Sequence, residues 1–224
     1  LFDKMPFDPL RDFVPVTMLV DVPLVLSTGA KHPVVTLREF IEYAKANPGK
    51  VNFGSPGPGT PPHLAGEMLA RAAGLSLVHV PYKGGNAAAT ALIANDVQLM
   101  IIAHATLRGQ IEGGLVRPLA VIGTERLGGL PNVPTVAEAG YPDLQKQLPR
   151  SWWSIVAPRG TPDPIVQRLA AEFRAALLAP EAQQRLRSAG LIPVGSTPTE
   201  FSQGLPTEAR QWGELIKAMG LKLE

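Results

Sequence analysis

The segment Gly54-Ser55-Pro56-Gly57-Pro58-Gly59-Thr60-Pro61-Pro62-His63 joins a strand-like stretch directly to a helix-like one, and it is the strongest candidate for chemistry in the chain. Glycines let a backbone approach a ligand closely. The first amides of a helix have no partner inside it, and the helix dipole places roughly half a positive charge there. Such a turn favours a carboxylate or phosphate, although the same pattern also serves as a plain, well-capped connection. No Lys-Ser/Thr pair follows Gly59, so this is not a Walker loop, and Pro56 and Pro58 remove two donors that a dinucleotide cradle would use. Ser55, Gly57, Gly59, Thr60 and His63 are the residues expected to meet a ligand here.

Two further turns have similar placing. Pro81-Tyr82-Lys83-Gly84-Gly85-Asn86 also leads from strand to helix. Tyr82, Lys83 and Gly84 are candidates there, against the plainer reading that Tyr82 packs and Lys83 is solvated. The third, Ala103-His104-Ala105-Thr106, offers Ala103 and Thr106. Ser151-Trp152-Trp153-Ser154 puts its two indoles on opposite faces of a strand, so at most one can line a given cleft and the other should be core; Trp152 is the candidate.

The catalytic alternatives are thin. The chain has no cysteine, no G-x-S-x-G elbow and no H-E-x-x-H pair. His32, His63, His79 and His104 lack metal-ligand spacing and read as structural or surface residues. No enzyme, cofactor or metal is expected; a small carboxylate- or phosphate-handling enzyme using Tyr82, Lys83 or His104 is the weaker alternative.

The elements that must position these turns follow from pattern. With 45% hydrophobic and 18% charged residues in 224, the chain can bury a sizeable core. Its 21 basic and 19 acidic residues are scattered, which argues against a nucleic-acid partner. Residues Phe13 to Thr28 read as extended, and Pro15 and Pro23 suggest edge or crossover strands. Thr36 and Glu39 make a capping box ahead of a helix. Strands at Val51 to Gly54, Leu77 to Pro81, Val97 to Ile102 and Val116 to Ile122 alternate with helices at Pro62 to Ala73, Asn86 to Ala94 and Thr106 to Glu112. This predicts a parallel sheet covered by helices. The Pro/Gly-rich stretch Gly128 to Pro149 reads as a linker. A strand at Trp152 to Ala157 and three helices follow, the first capped by Thr161 and the last expected to kink or split at Pro206.

At this point the chain resembles the Bug or TctC-type receptors of tripartite tricarboxylate transporters. The resemblance is carried by Pro6-Phe7-Asp8-Pro9-Leu10-Arg11-Asp12-Phe13, by Gly54-Ser55 through His63-Leu64-Ala65-Gly66-Glu67, and by Val78-His79-Val80-Pro81-Tyr82-Lys83-Gly84-Gly85. Pro131-Asn132-Val133-Pro134-Thr135-Val136-Ala137-Glu138-Ala139-Gly140 and Gly195-Ser196-Thr197-Pro198-Thr199-Glu200-Phe201 extend it. It implies an α/β, type II periplasmic-binding-protein-like fold, two lobes joined by crossover strands and closing on a small organic acid or related solute. It also implies a periplasmic location and a membrane transporter or sensor component as partner. Residues 21–150 would form the second lobe, and 1–20 with 151–224 a first lobe incomplete in this chain. The start at Leu1, without an initiator Met or an apolar leader, fits a processed or partial chain. A truncated or degenerate relative that binds nothing is the other reading. Ile102, Ala91 and Gln110 stand where such receptors usually have Asp, Asp and His, which leaves a less polar pocket.

Overall fold

Pro23 ends one extended run and begins another. The computed structural model describes residues 6–148 and 151–219, so Pro149 and the outermost residues of the expected lobes lie outside the described residues. In it the extended stretch is two strands, β1 (Phe13–Asp21) and β2 (Leu24–Gly29). They belong to different compact units, Leu1–Val22 with Trp152–Glu224, and Pro23–Ser151.

The second unit carries the three candidate turns. Its elements are α1 (Leu37–Ala46), β3 (Val51–Ser55), α2 (Pro61–Ala73), β4 (Leu77–Pro81), α3 (Gly85–Ala94), β5 (Leu99–Ala103), α4 (His104–Glu112), β6 (Val116–Ile122) and α5 (Pro142–Gln147). The sheet order is β4-β3-β5-β2-β6. It is mixed rather than parallel: β3 runs parallel to β4 and β5, whereas β2 is antiparallel to both β5 and β6. Alternation of strand and helix could not show this, because β2 enters from the other unit and has no helix before it. All six residues of β2 are buried, as a central strand covered on both faces requires.

The two faces have separate cores. On one, Leu37, Phe40, Ile41 and Ala44 of α1 pack with Ala65 and Leu69 of α2, Phe53 and Leu99. On the other, Ala88, Ala91 and Leu92 of α3 pack with Leu107 of α4, Met100 and Ile102. Ala91 and Ile102, two positions where the resemblance implies aspartate, thus belong to an apolar layer. Capping fixes where α1 starts: Thr36 Oγ1 accepts the Glu39 amide at 3.1 Å, and Glu39 reaches back to the Val35 amide at 2.7 Å, a device that contributes about 1 kcal/mol.

The stretch expected to be a linker is ordered through its described residues. Val121 donates to Pro134 and Val136 to Val121, which stitches this segment onto β6. Thr135 and Glu138 form a reciprocal cap, and Leu130, Val136 and Leu144 are buried. Prolines here terminate elements rather than mark a boundary.

In the first unit, β7 (Trp152–Pro158), β1 and β8 (Ile192–Pro193) form an antiparallel sheet with β1 in the middle. Pro15 is tolerated in a central strand because β8 pairs only with Val20 and Asp21, so β1 is an edge at Pro15 and no ladder donor is lost there. Val16, Ala157, Val166 and Ala170 form this unit's core, the last two from α6 (Asp163–Leu178). That helix starts one residue later than expected: Thr161 donates to Pro158 instead of capping it. After α7 (Pro180–Ser188), α8 (Pro198–Met219) continues across Pro206 rather than splitting. The bond that Pro206 forfeits is to the carbonyl of exposed Ser202, which water can satisfy.

Candidate functional site

β3, β4 and β5 are parallel, so their carboxyl ends share one edge of the sheet, and α2, α3 and α4 all start there. This is where open α/β sheets take ligands. None of the three helices has an acidic residue in its first turn, and none has a side-chain cap. Among the described residues each of the other five helices carries one acid in that turn: Glu39, Asp143, Asp163, Glu181 or Glu200. An acid in the first turn answers the helix dipole. At this edge no carboxylate from the helices' own first turns answers their dipoles.

The glycine turn is held from within. Ser55 Oγ accepts the Gly57 amide at 3.2 Å and lies 3.1 Å from the Gly57 carbonyl, to which it can donate. Thr60 Oγ1 donates to the same carbonyl at 2.7 Å, and the Gly59 amide donates to His63 Nδ1 at 3.0 Å. Gly57 (φ 148°) and Gly59 (φ 73°) adopt conformations that other residues resist. Both glycine amides are therefore already used. Those of Thr60 and His63 donate to no protein acceptor among the described residues.

Behind the turn stands a stack of rings. His79, from β4, lies 3.9 Å from His63 and 4.8 Å from Phe53 between ring centroids, and its Nε2 is 2.7 Å from Ser55 Oγ. Burial first, and then the neighbouring His63, lower the pKa of His79 from 6.5 to about 4, with Glu67 opposing. Read as a surface or structural residue from sequence, His79 is the group that connects Ser55 to the stack. The signal was the strand period: Phe53 and Ser55 share one face of β3, and His79 pairs with Phe53 in register.

The second turn is tied to the first by two backbone bonds, Tyr82 to the Ser55 carbonyl at 2.9 Å and Gly84 to the Pro56 carbonyl at 3.1 Å. Tyr82 packs its ring against the apolar layer beside Gly54, and burial followed by Asp96 raises its pKa. Lys83 is exposed. Thr106 approaches α3, its methyl lying where a side chain at Gly85 would stand. Ala103 ends β5 and precedes His104, which is only 3% exposed. Burial, then Arg108, lowers the pKa of His104, and its Nδ1 makes no hydrogen bond.

Trp152 belongs to the first unit. Its indole N–H donates to Glu208 at 2.8 Å and its ring meets Phe201 edge-on at 5.5 Å. Trp153 is 57% exposed, so neither indole is fully buried core. Among the described residues no cluster of three His, Asp or Glu could hold a metal, and no helix is long and apolar enough to cross a membrane.

The sequence pattern of the family described as tripartite tricarboxylate transporter family receptor matches residues 1–221. The chain belongs to this family. Members of this family are substrate-binding receptors rather than enzymes. A protein encoded between tcbD and tcbE in Pseudomonas sp. strain P51 is 36% identical over 96% of this chain and 63% of its own length. Protein BugT of Bordetella pertussis is 32% identical over 100% of this chain and 68% of its own. The chain thus spans about two thirds of the length of these TctC relatives.

Solved TctC-like structures agree with the fold. Rpa4515 of R. palustris, solved with adipate, has a TM-score of 0.88 and 32% identity over 98% of this chain and 73% of its own. MatC of Rhodopseudomonas palustris, with bound malate, has a TM-score of 0.80 and 28% identity over 95% and 72%. The α/β, periplasmic-binding-protein-like architecture implied by the resemblance is the one observed.

Proposed function

We propose that this chain captures a small carboxylate-bearing solute at the carboxyl edge of the five-stranded sheet, as the periplasmic receptor of a tripartite tricarboxylate-type uptake or sensing system. The observation that carries the reading is the set of three helix starts without first-turn acids at one sheet edge. A carboxylate placed there meets positive dipole ends and amide donors, and no first-turn carboxylate of these helices competes with it. Adipate and malate in two structural neighbours support the class of ligand. The Ser55–Thr60 turn with His63 forms the best-defined wall, Gly84 and Thr106 sit on the adjoining turns, and Lys83 adds an exposed positive charge. Ala103 contributes backbone and Tyr82 mainly packing. A membrane transporter or sensor component is the partner this role requires.

Thermal unfolding against mono-, di- and tricarboxylates, with phosphate and nucleotides as contrasts, tests the proposal. A ligand that binds only the folded chain stabilises it by about 2.7 kcal/mol at a hundred times its dissociation constant. A selective rise with one carboxylate class is expected; equal response to phosphate or nucleotide, or no response to any acid, contradicts it.

A further inference from the structure

We propose that His63 and His79 are positioning residues for the ligand: two stacked rings of fixed tautomer that hold the Ser55–Thr60 turn in the shape that keeps the Thr60 and His63 amides free of protein acceptors. This rests on the carboxylate reading for its functional meaning, but its geometry stands independently.

Ser55 Oγ has three polar neighbours: the Gly57 amide, the Gly57 carbonyl and His79 Nε2. A hydroxyl offers one proton and two lone pairs. The Gly57 carbonyl also accepts from Thr60 Oγ1, and the assignment that uses every Ser55 contact has the Gly57 amide and a His79 Nε2–H both donating to Oγ while Oγ–H donates to the carbonyl. That assignment places the His79 proton on Nε2. His63 works from the other side. Its Nδ1 accepts the Gly59 amide, so its own proton is on Nε2, which lies 3.7 Å from Glu67 Oε1. One ring therefore fixes Gly59 directly and the other fixes Gly57 through Ser55, and stacking at 3.9 Å locks each ring against the other.

The groups facing His79 are His63 and Glu67 from α2 and the uncharged Ser55 and Phe53 from β3. A proton added to His79 would bring charge into this stack beside His63, so the arrangement belongs to neutral pH.

The test separates ring volume from polar atoms. His79→Phe and His63→Phe keep the stack and remove the hydrogen bonds. His79→Gln keeps a donor near the Nε2 position, and His63→Asn keeps an acceptor near Nδ1. Adipate and malate affinities are measured by calorimetry on the full chain. In parallel, histidine ring ¹⁵N spectra and amide exchange at Gly57 and Gly59 are recorded without ligand. The Phe variants are expected to bind about tenfold more weakly or worse, with glycine exchange accelerated to match, and the Gln and Asn variants to recover most of the loss. Both wild-type rings should carry their proton on Nε2. Phe variants that bind like wild type, or a wild-type ring protonated on Nδ1, overturn the proposal. If the wild type binds neither acid, the carboxylate reading fails, and the tautomers and glycine exchange alone still decide whether the rings set the turn.

Discussion

His63 on α2 and His79 on β4 lie face to face, their centroids 3.9 Å apart and their planes 22° from parallel. The pair joins the sheet to the helix immediately behind the glycine turn. It depends on His79 staying neutral, because burial and His63 together hold its pKa near 4.

Acid should therefore weaken the fold before most carboxylates titrate. The folded-state pKa of His79 lies below its unfolded value of 6.5, so the unfolded chain takes up the proton first as pH falls. Stability is fully present above about pH 7, declines between about 6.5 and 4, and levels off below. His32 and His104, both lowered mainly by burial, act with the same sign. The full His79 shift corresponds to about 3 kcal/mol; partial solvent contact reduces the expected loss to about 1–2 kcal/mol. Urea midpoints at pH 7 and 4.5 check this, and equal midpoints would contradict it.

Gly66→Ala should destabilise the second unit. A Cβ there would lie 2.2 Å from the ring of Phe53, which is fully buried beside His79. Alanine gains about 0.5–1 kcal/mol of helix propensity, but overpacking costs about 1–3 kcal/mol, so the net sign is a loss. The denaturation midpoint should fall with an unchanged slope; a higher midpoint would mean that Phe53 can move.

Much of this architecture was legible because its signals are local. The Thr36–Glu39 box gave the start of α1, and the alternation from Val51 to Ile122 gave strands and helices of the second unit to within a few residues. The direction of β2 was hidden, since pairing partners far apart in sequence set it. The Gly128–Pro149 stretch misled because proline content looks the same in a linker and in a segment pinned to β6. At the site, sequence located the turns but not their internal bonding. Gly57 and Gly59 read as positions open to a ligand's approach, yet Ser55 and His63 occupy their amides, and the role of His79 required knowing that Phe53 is its strand partner.

Gly57→Val and Gly59→Val should weaken carboxylate binding more than they lower stability. Both positions have positive φ, where a β-branched residue is strained by about 1–3 kcal/mol, and relief by moving the turn would displace the Thr60 and His63 amides. Adipate affinity is expected to fall at least about tenfold, the equivalent of about 1.4 kcal/mol, with a smaller change in midpoint. Unchanged affinity with a clearly lowered melting point would contradict the site.

Plain acids should bind better than their amino analogues. None of the first turns of α2, α3 and α4 supplies a carboxylate to receive an ammonium group, and a desolvated cation without a partner is costly. Competition calorimetry should rank adipate and malate above aspartate and glutamate by about tenfold or more. The reverse ranking would point to an acidic group reaching the ligand from elsewhere.

The most direct measurement of the central claim is backbone amide NMR of the chain titrated with adipate and, separately, malate. Saturable shifts concentrated at Thr60, His63 and the first turns of α3 and α4, from Gly85 and His104 onward, are the expected result. Saturable binding that leaves those amides unmoved, or no binding of either acid, would contradict a carboxylate site at this edge of the sheet.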